Sequence, residues 1–342
     1  MVPGARRVAR VDRGAVLLVP DGALHAPEVH VEPVRVGLDH DGLVPGPDGE
    51  RTAPTVGDLV VVGERADGTA VVTALVRRRS ALVRDSAGGT SRTQVMAANV
   101  DVVLVAEHLD PDPDLGRIER LLVLAWRSGA RPVVVLTKAD LVPDPSGLAA
   151  EVREVALGVD VHVVSAGCGE GLDPLRALLA PDVAIVLVGP SGAGKSTLVN
   201  ALAGAPVMET GERRADGRGR HTTTHRELVP LGHGAMLIDT PGIRGVGVVA
   251  DEDALDATFA DVEALAKGCR FADCAHGREP GCAVRAALDD GSLPERRFDS
   301  WQRLGREMAF QARRADAALA AQDRARVKKQ ARAYRSRTRP PA

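Results

Sequence analysis

Aromatic residues are scarce: four Phe, two Trp and one Tyr in 342 residues, and none in the first 80. The N-terminal region must therefore build its core from aliphatic side chains, and it has no ring on which an unpaired base could stack. Cysteine is equally sparse. Of four, Cys269, Cys274 and Cys282 fall within fourteen residues and Cys168 stands alone, which argues against a disulfide framework and for a metal site in a reducing compartment. No run of eighteen apolar residues occurs, and the N-terminal Arg6, Arg7 and Arg10 are not followed by an apolar stretch of signal-peptide length. No membrane association and a cytoplasmic location are the expectation. A large net charge is also missing, since the formal value is −2, yet from Arg303 onward there are twelve Lys or Arg against three Asp or Glu. That end reads as a basic tail.

What is present is organised around Gly189-Pro190-Ser191-Gly192-Ala193-Gly194-Lys195-Ser196-Thr197. Val183 to Val188 before it read as a buried strand and Leu198 to Ala203 after it as a helix, the context that a phosphate-binding loop requires. Glycines let successive backbone N–H groups turn toward phosphate oxygens at a helix N-terminus. Lys195 is placed to reach the β- and γ-phosphates and Ser196 to ligate Mg²⁺.

From Asp101 onward, apolar runs alternate with helical patterns: strands at Val102 to Val105, Pro132 to Leu136 and Val161 to Val164, helices at Leu115 to Arg127 and Leu148 to Ala156. This predicts a doubly wound parallel sheet, whose ligands bind at the carboxyl ends of strands. Two strand ends there carry chemistry. Thr137-Lys138-Ala139-Asp140 places a carboxylate, Asp140, that can accept from both N1–H and the exocyclic amine of guanine, a pair adenine lacks. Lys138 would lay its stem over the ring, and the Ala166 N–H in Ser165-Ala166 could donate to guanine O6.

Downstream lie Gly219-Arg220-His221-Thr222-Thr223-Thr224, a strand around Arg226 to Leu231, and Met236 to Ile238 ending in Asp239-Thr240-Pro241-Gly242. Asp239 would hold Mg²⁺ through water and the Gly242 N–H would meet the γ-phosphate. Thr223 is the choice for a second Mg²⁺ ligand, with Thr222 next. Because Ile243 after the glycine cannot orient water, His221 is the nearest candidate for that catalytic task, the alternative being a solvent-exposed loop histidine. In ordinary guanine-reading proteins the phosphate loop comes first. Here Thr137 to Asp140 and Ser165-Ala166 precede it, so the order is circularly permuted, and the Asp239 segment leads directly into the C-terminal region.

Residues 1 to 80 show short Val-rich runs (16–19, 29–36, 59–62, 70–76) between Gly, Pro and Asp clusters, as in a small all-β barrel, with 39–54 read as a mobile loop. Arg6, Arg7, Arg10, Arg13 and Arg77 to Arg79 are either RNA contacts or a solvated surface. At the other end Cys269, Cys274, His276 and Cys282 form a three-thiolate, one-imidazole set suited to one structural Zn²⁺ per chain, among helical segments at 253–266, 295–310 and a basic 312–334.

The combination of barrel, permuted order, GPSGAGKST, GRHTTT, DTPGIR and the Cys/His knuckle resembles the ribosome small-subunit-dependent GTPase family over nearly the whole chain. The resemblance implies a multidomain protein: an oligonucleotide-binding-like barrel (1–80), a permuted P-loop GTPase domain (92–245), a helical zinc-binding domain (246–310) and a basic tail (311–342). It implies Mg²⁺ with GTP, binding of the small ribosomal subunit and its rRNA, and GTP hydrolysis during late subunit maturation, with a monomer expected. Two departures stand out: Thr137 replaces the usual Asn, and the barrel has no aromatic residue. A nucleotide-dependent RNA-binding module with negligible turnover is the reading of a different class.

Overall fold

The computed structural model describes residues 4–20, 32–85, 93–209, 226–239, 251–313, 317 and 321. The chain opens with strands β1 (Arg6–Asp12), β2 (Ala15–Pro20) and β3 (Val34–Gly37), a small hairpin of β4 (Val44–Pro45) and β5 (Arg51–Thr52), then β6 (Leu59–Glu64) and β7 (Ala70–Leu75). Strands β1, β2, β3, β7 and β6 pair in sequence, and β6 returns to β1, closing a five-stranded barrel. Its core is aliphatic throughout: Val8, Val16, Leu18, Val36, Leu38, Val44, Val60, Val72 and Leu75. Full closure removes the sheet edges that would otherwise invite pairing with other chains.

The structure bears on three sequence expectations here. Arg6, Arg7 and Arg10 lie within β1, and Arg7 is only 3% exposed. The 39–54 segment carries the β4–β5 hairpin, gathered by Arg51, whose guanidinium donates to Asp41 (2.9 Å), Asp39 (3.2 Å) and the Leu43 carbonyl (2.7 Å). Finally, each of the arginines 77 to 79 has an acidic partner: Asp48, the fully buried Asp58 and Asp101 respectively.

A hairpin of β8 (Ala81–Asp85) and β9 (Thr93–Ala98) follows, and then β10 (Val102–His108), α1 (Leu115–Ser128), β11 (Arg131–Thr137), α2 (Pro145–Val155), β12 (Asp160–Val163), α3 (Asp173–Arg176), β13 (Ala184–Val188), α4 (Lys195–Ala203), β14 (Glu227–Pro230) and β15 (Met236–Asp239). Helix α2 starts earlier than its apolar pattern, because Asp144 caps it by accepting from Gly147 N and Pro145 fits the first turn. The strand order is β12-β11-β10-β13-β15-β14, parallel except for β14, with apolar layers on both faces. Burial on both faces explains why these strands read as continuous Val/Leu/Ile runs. Arg10 pairs with Glu227, so β1 lies beside β14 and the barrel continues the central sheet.

The C-terminal region contains α5 (Glu252–Thr258), α6 (Ala260–Lys267), α7 (Ala283–Asp289) and a helix over 295–313. The single helix expected over 253–266 breaks at Phe259, which leaves helical geometry (φ −115°, ψ 41°) and is fully buried. The freed Thr258 carbonyl accepts from Arg297 at 2.8 Å, and the same guanidinium lies 4.4 Å over the Phe259 ring. Most of the basic segment expected over 312–334 lies outside the described residues.

Arg297 also docks this region on the central domain. Its side chain is 2% exposed and donates to Asp261 (2.8 and 3.1 Å) and to the fully buried Glu119 of α1 (2.8 Å), which Arg296 grips as well (2.9 and 3.1 Å). Burial opposes the Arg297 charge, but the two carboxylates outweigh it and raise its pKa.

Candidate functional site

Residues 189–194 link β13 to α4 at the carboxyl edge of the sheet, in the middle of the strand order. The glycines there are sterically required. A Cβ on Gly189 (φ +145°) would collide with the Ala106 carbonyl oxygen of the neighbouring β10, and Gly192 (φ +86°) and Gly194 (φ +69°) hold left-handed conformations. Gly194 caps α4, accepting from Leu198 N at 2.9 Å. Lys195 is the first residue of the helix, and its ammonium donates to the carbonyls of Gly189 (2.9 Å) and Pro190 (2.5 Å). Ser196 and Thr197 occupy the next two positions of the first turn, with Pro190 and Ser191 at the loop's start.

Two strands away, β11 ends at Thr137, which is 2% exposed. Its hydroxyl lies 3.0 Å from the Ala193 carbonyl of the phosphate loop and 3.2 Å from the Glu107 carbonyl of β10, so this side chain ties three strand ends together. Lys138 takes a left-handed conformation (φ 60°), turning the chain into the short 3₁₀ turn Ala139–Leu141, and Ala139 N donates to Val164 O at 3.2 Å. Asp140 is exposed in that turn and receives the buried Ser165 hydroxyl at 2.5 Å. Ser165 and Glu170 exchange backbone hydrogen bonds (3.1 and 3.0 Å), closing the loop that carries Ala166. The structure thus brings Thr137–Asp140, Ser165–Ala166 and Gly189–Thr197 to one edge.

Asp239 ends β15, half-buried, one strand from β13. His221, Thr222, Thr223, Gly242 and Ile243 lie outside the described residues.

Sequence reasoning missed a buried pair beside this edge. Glu107 is wholly buried at the end of β10 and receives two hydrogen bonds from Arg117 in the first turn of α1 (2.7 and 2.9 Å). The Glu107 bond raises the Arg117 pKa against the opposing effect of burial. A glutamate directly after the apolar run Val102 to Ala106, inside the same strand, was the available signal, since a charge in such a strand needs a partner.

The second constellation lies in the C-terminal region. One ligand atom from each of Cys269, Cys274, His276 and Cys282 falls within 4.8 Å of every other. The Cys269 and Cys282 sulfurs are 3.8 Å apart, and each is 3.6 Å from His276 Nδ1. A tetrahedral ion with Zn–S ~2.3 Å and Zn–N ~2.0 Å separates two sulfurs by about 3.8 Å and sulfur from nitrogen by about 3.5 Å. The donor set and its spacing therefore fit such an ion. Cys282 caps α7 through Arg285 N, and the His276 ring sits among Phe298 and Trp301.

Comparison with known proteins agrees with this arrangement. The profile of the RsgA GTPase family matches residues 75–249. A Streptomyces avermitilis protein named small ribosomal subunit biogenesis GTPase RsgA is 50% identical over 325 residues, covering 94% of this chain and 84% of the relative. In fold, the chain is similar to the crystal structure of YjeQ from Thermotoga maritima (24% identity, TM-score 0.63, 89% of this chain and 98% of that one). It is likewise similar to YloQ, described as a circularly permuted GTPase (22% identity, TM-score 0.61, 90% and 95%). With its closed barrel, permuted strand order and C-terminal Cys/His cluster, this chain belongs to the RsgA GTPase family.

Proposed function

We propose that this protein binds the small ribosomal subunit and its rRNA and hydrolyses GTP to GDP and phosphate during late maturation of that subunit. The observation that carries the reading is the meeting of a base-side turn and a phosphate loop at one sheet edge, joined by the Thr137–Ala193 hydrogen bond. The names of its relatives supply the ribosomal context.

In this reading Asp140 accepts from the guanine N1–H and amine while Ser165 fixes the carboxylate, Lys138 and Ala139 flank the ring, and the Ala166 N–H meets O6. Gly189, Pro190, Ser191, Gly192, Ala193, Gly194, Lys195, Ser196 and Thr197 enclose the phosphates. Ser196 and Thr223, with Asp239 through water, would hold Mg²⁺, which would supply positive charge at the phosphate oxygens, and Gly242 would contact the γ-phosphate. His221 orients the attacking water. Cys269, Cys274, His276 and Cys282 would hold one Zn²⁺, which would serve a structural rather than a catalytic role by cross-linking the surrounding helical segments.

We assign residues 1–80 to the barrel, 92–245 to the GTPase domain, 246–310 to the zinc-binding domain and 311–342 to the tail, and expect a cytoplasmic monomer. No described helix is long and apolar enough to cross a membrane. The test is co-sedimentation with separated ribosomal subunits in GDP and in a non-hydrolysable GTP analogue. Nucleotide-dependent binding to the small subunit is expected, and indifference to both subunits would remove the reading.

A further inference from the structure

The barrel offers no aromatic ring for an unpaired base, whereas the metal knuckle presents one. Phe271, two residues after Cys269, is 42% exposed, and Phe310 near the end of the 295–313 helix is 54% exposed, whereas Phe259 and Phe298 are buried in the core of this region. The Arg270 guanidinium lies 5.5 Å from the Phe271 ring centroid, in cation–π range. Both side chains are exposed, and their backbone is pinned from two directions. Arg270 N donates to the Gly281 carbonyl at 3.0 Å, and the Phe271 carbonyl accepts from Cys274 N at 3.3 Å. The ring thus stands on a turn fixed by ligand-bearing segments, which reduces the entropy lost when something packs against it.

We propose that Phe271 and Arg270 form a stacking platform for an unpaired base of rRNA, so that base contact resides on the knuckle rather than in the barrel. This rests on the small-subunit reading above. Single-stranded RNA is read by bases laid on aromatic rings and guanidinium planes, and an exposed Phe–Arg pair offers both. Lys267 and Arg278, exposed on the flanking segments, would meet the adjoining phosphates. By contrast Glu279 turns inward, accepting from Ala275 N (3.2 Å) and Gly277 N (2.7 Å), so its charge is taken up by the turn.

The test uses the full chain with two partners, small ribosomal subunits and a fluorescent single-stranded RNA oligonucleotide. Phe271→Ala should weaken oligonucleotide binding about 5- to 150-fold, the equivalent of ~1–3 kcal/mol per stacked base. Phe271→Trp should retain binding and have its indole fluorescence quenched by RNA. Phe271→Leu, which keeps apolar bulk but no ring, should resemble the alanine variant; zinc content and melting temperature measured on every variant exclude a folding defect. Unchanged binding of the folded Phe271→Ala protein, or full retention in Phe271→Leu, overturns the platform while parent binding to the small subunit keeps the broader reading intact. A parent that binds neither partner overturns both.

Discussion

The Thr137 hydroxyl donates to the carbonyl oxygen of Ala193 across 3.0 Å, so the end of β11 and the glycine-rich loop before α4 share a side-chain hydrogen bond. The same proton faces the Glu107 carbonyl at 3.2 Å and must be divided between two acceptors. An amide at this position could supply two protons. Thr137→Val keeps the shape and removes the hydroxyl, leaving the wholly buried Ala193 without that donor. GTP affinity should fall by the ~1–3 kcal/mol of an unsatisfied buried group, while Thr137→Asn should match or exceed the parent; nucleotide titration reads both.

Asp140 and Ser165 should behave as a unit, because the Ser165 hydroxyl occupies one carboxylate oxygen. Asp140→Asn places an amide where guanine presents its own donors, and affinity for GTP should drop by roughly 1–3 kcal/mol. The same variant should gain affinity for XTP, whose base carries an oxygen at position 2. Ser165→Ala should weaken GTP less and leave the base preference unchanged. Equal GTP binding by Asp140→Asn and the parent contradicts the assignment.

Much of this edge was legible in the sequence because its demands are local. The left-handed turns at Gly192 and Gly194, the spacing to Lys195 and a strand ending in Thr137 to Asp140 are each contained within a few residues. The pairs joining the domains are not. Glu119 and Arg297 are 178 residues apart, and each reads by itself as an ordinary surface charge on an amphipathic helix. Strand β1 was hidden for a similar reason, since Arg6, Arg7 and Arg10 obscure the apolar Val8 and Ala9 that face the interior. The β8–β9 hairpin carries little pattern of its own and is defined by pairing.

Arg297→Ala should destabilise the attachment of the C-terminal region to α1. Breaking a buried ion pair costs about 3–5 kcal/mol, and the effect should fall at the lower end because Arg296 still reaches Glu119. Denaturant unfolding of the intact chain measures it, and a change within error of zero contradicts the docking role.

Freshly purified protein should contain one zinc per chain by elemental analysis. Cys274→Ser should lower that content and raise protease sensitivity of the C-terminal region while GTP binding stays near parental, since the cluster and the helix after the phosphate loop pack into different hydrophobic cores. Zinc-free parent protein would remove the metal assignment.

His221→Ala, in a segment outside the described residues, should bind GTP normally and lose most of any ribosome-stimulated hydrolysis. Equal stimulated rates in parent and variant would leave the histidine out of the mechanism.

The most direct test of the account is steady-state GTP turnover with and without purified small ribosomal subunits. Without a water-orienting side chain after Gly242, the free protein should be slow, near the ~10⁻⁴ s⁻¹ of a small GTPase lacking its activator. Small subunits should raise the rate by orders of magnitude and large subunits should not. A rate that no ribosomal particle changes would contradict the claim that this is a GTPase switched on by the small subunit.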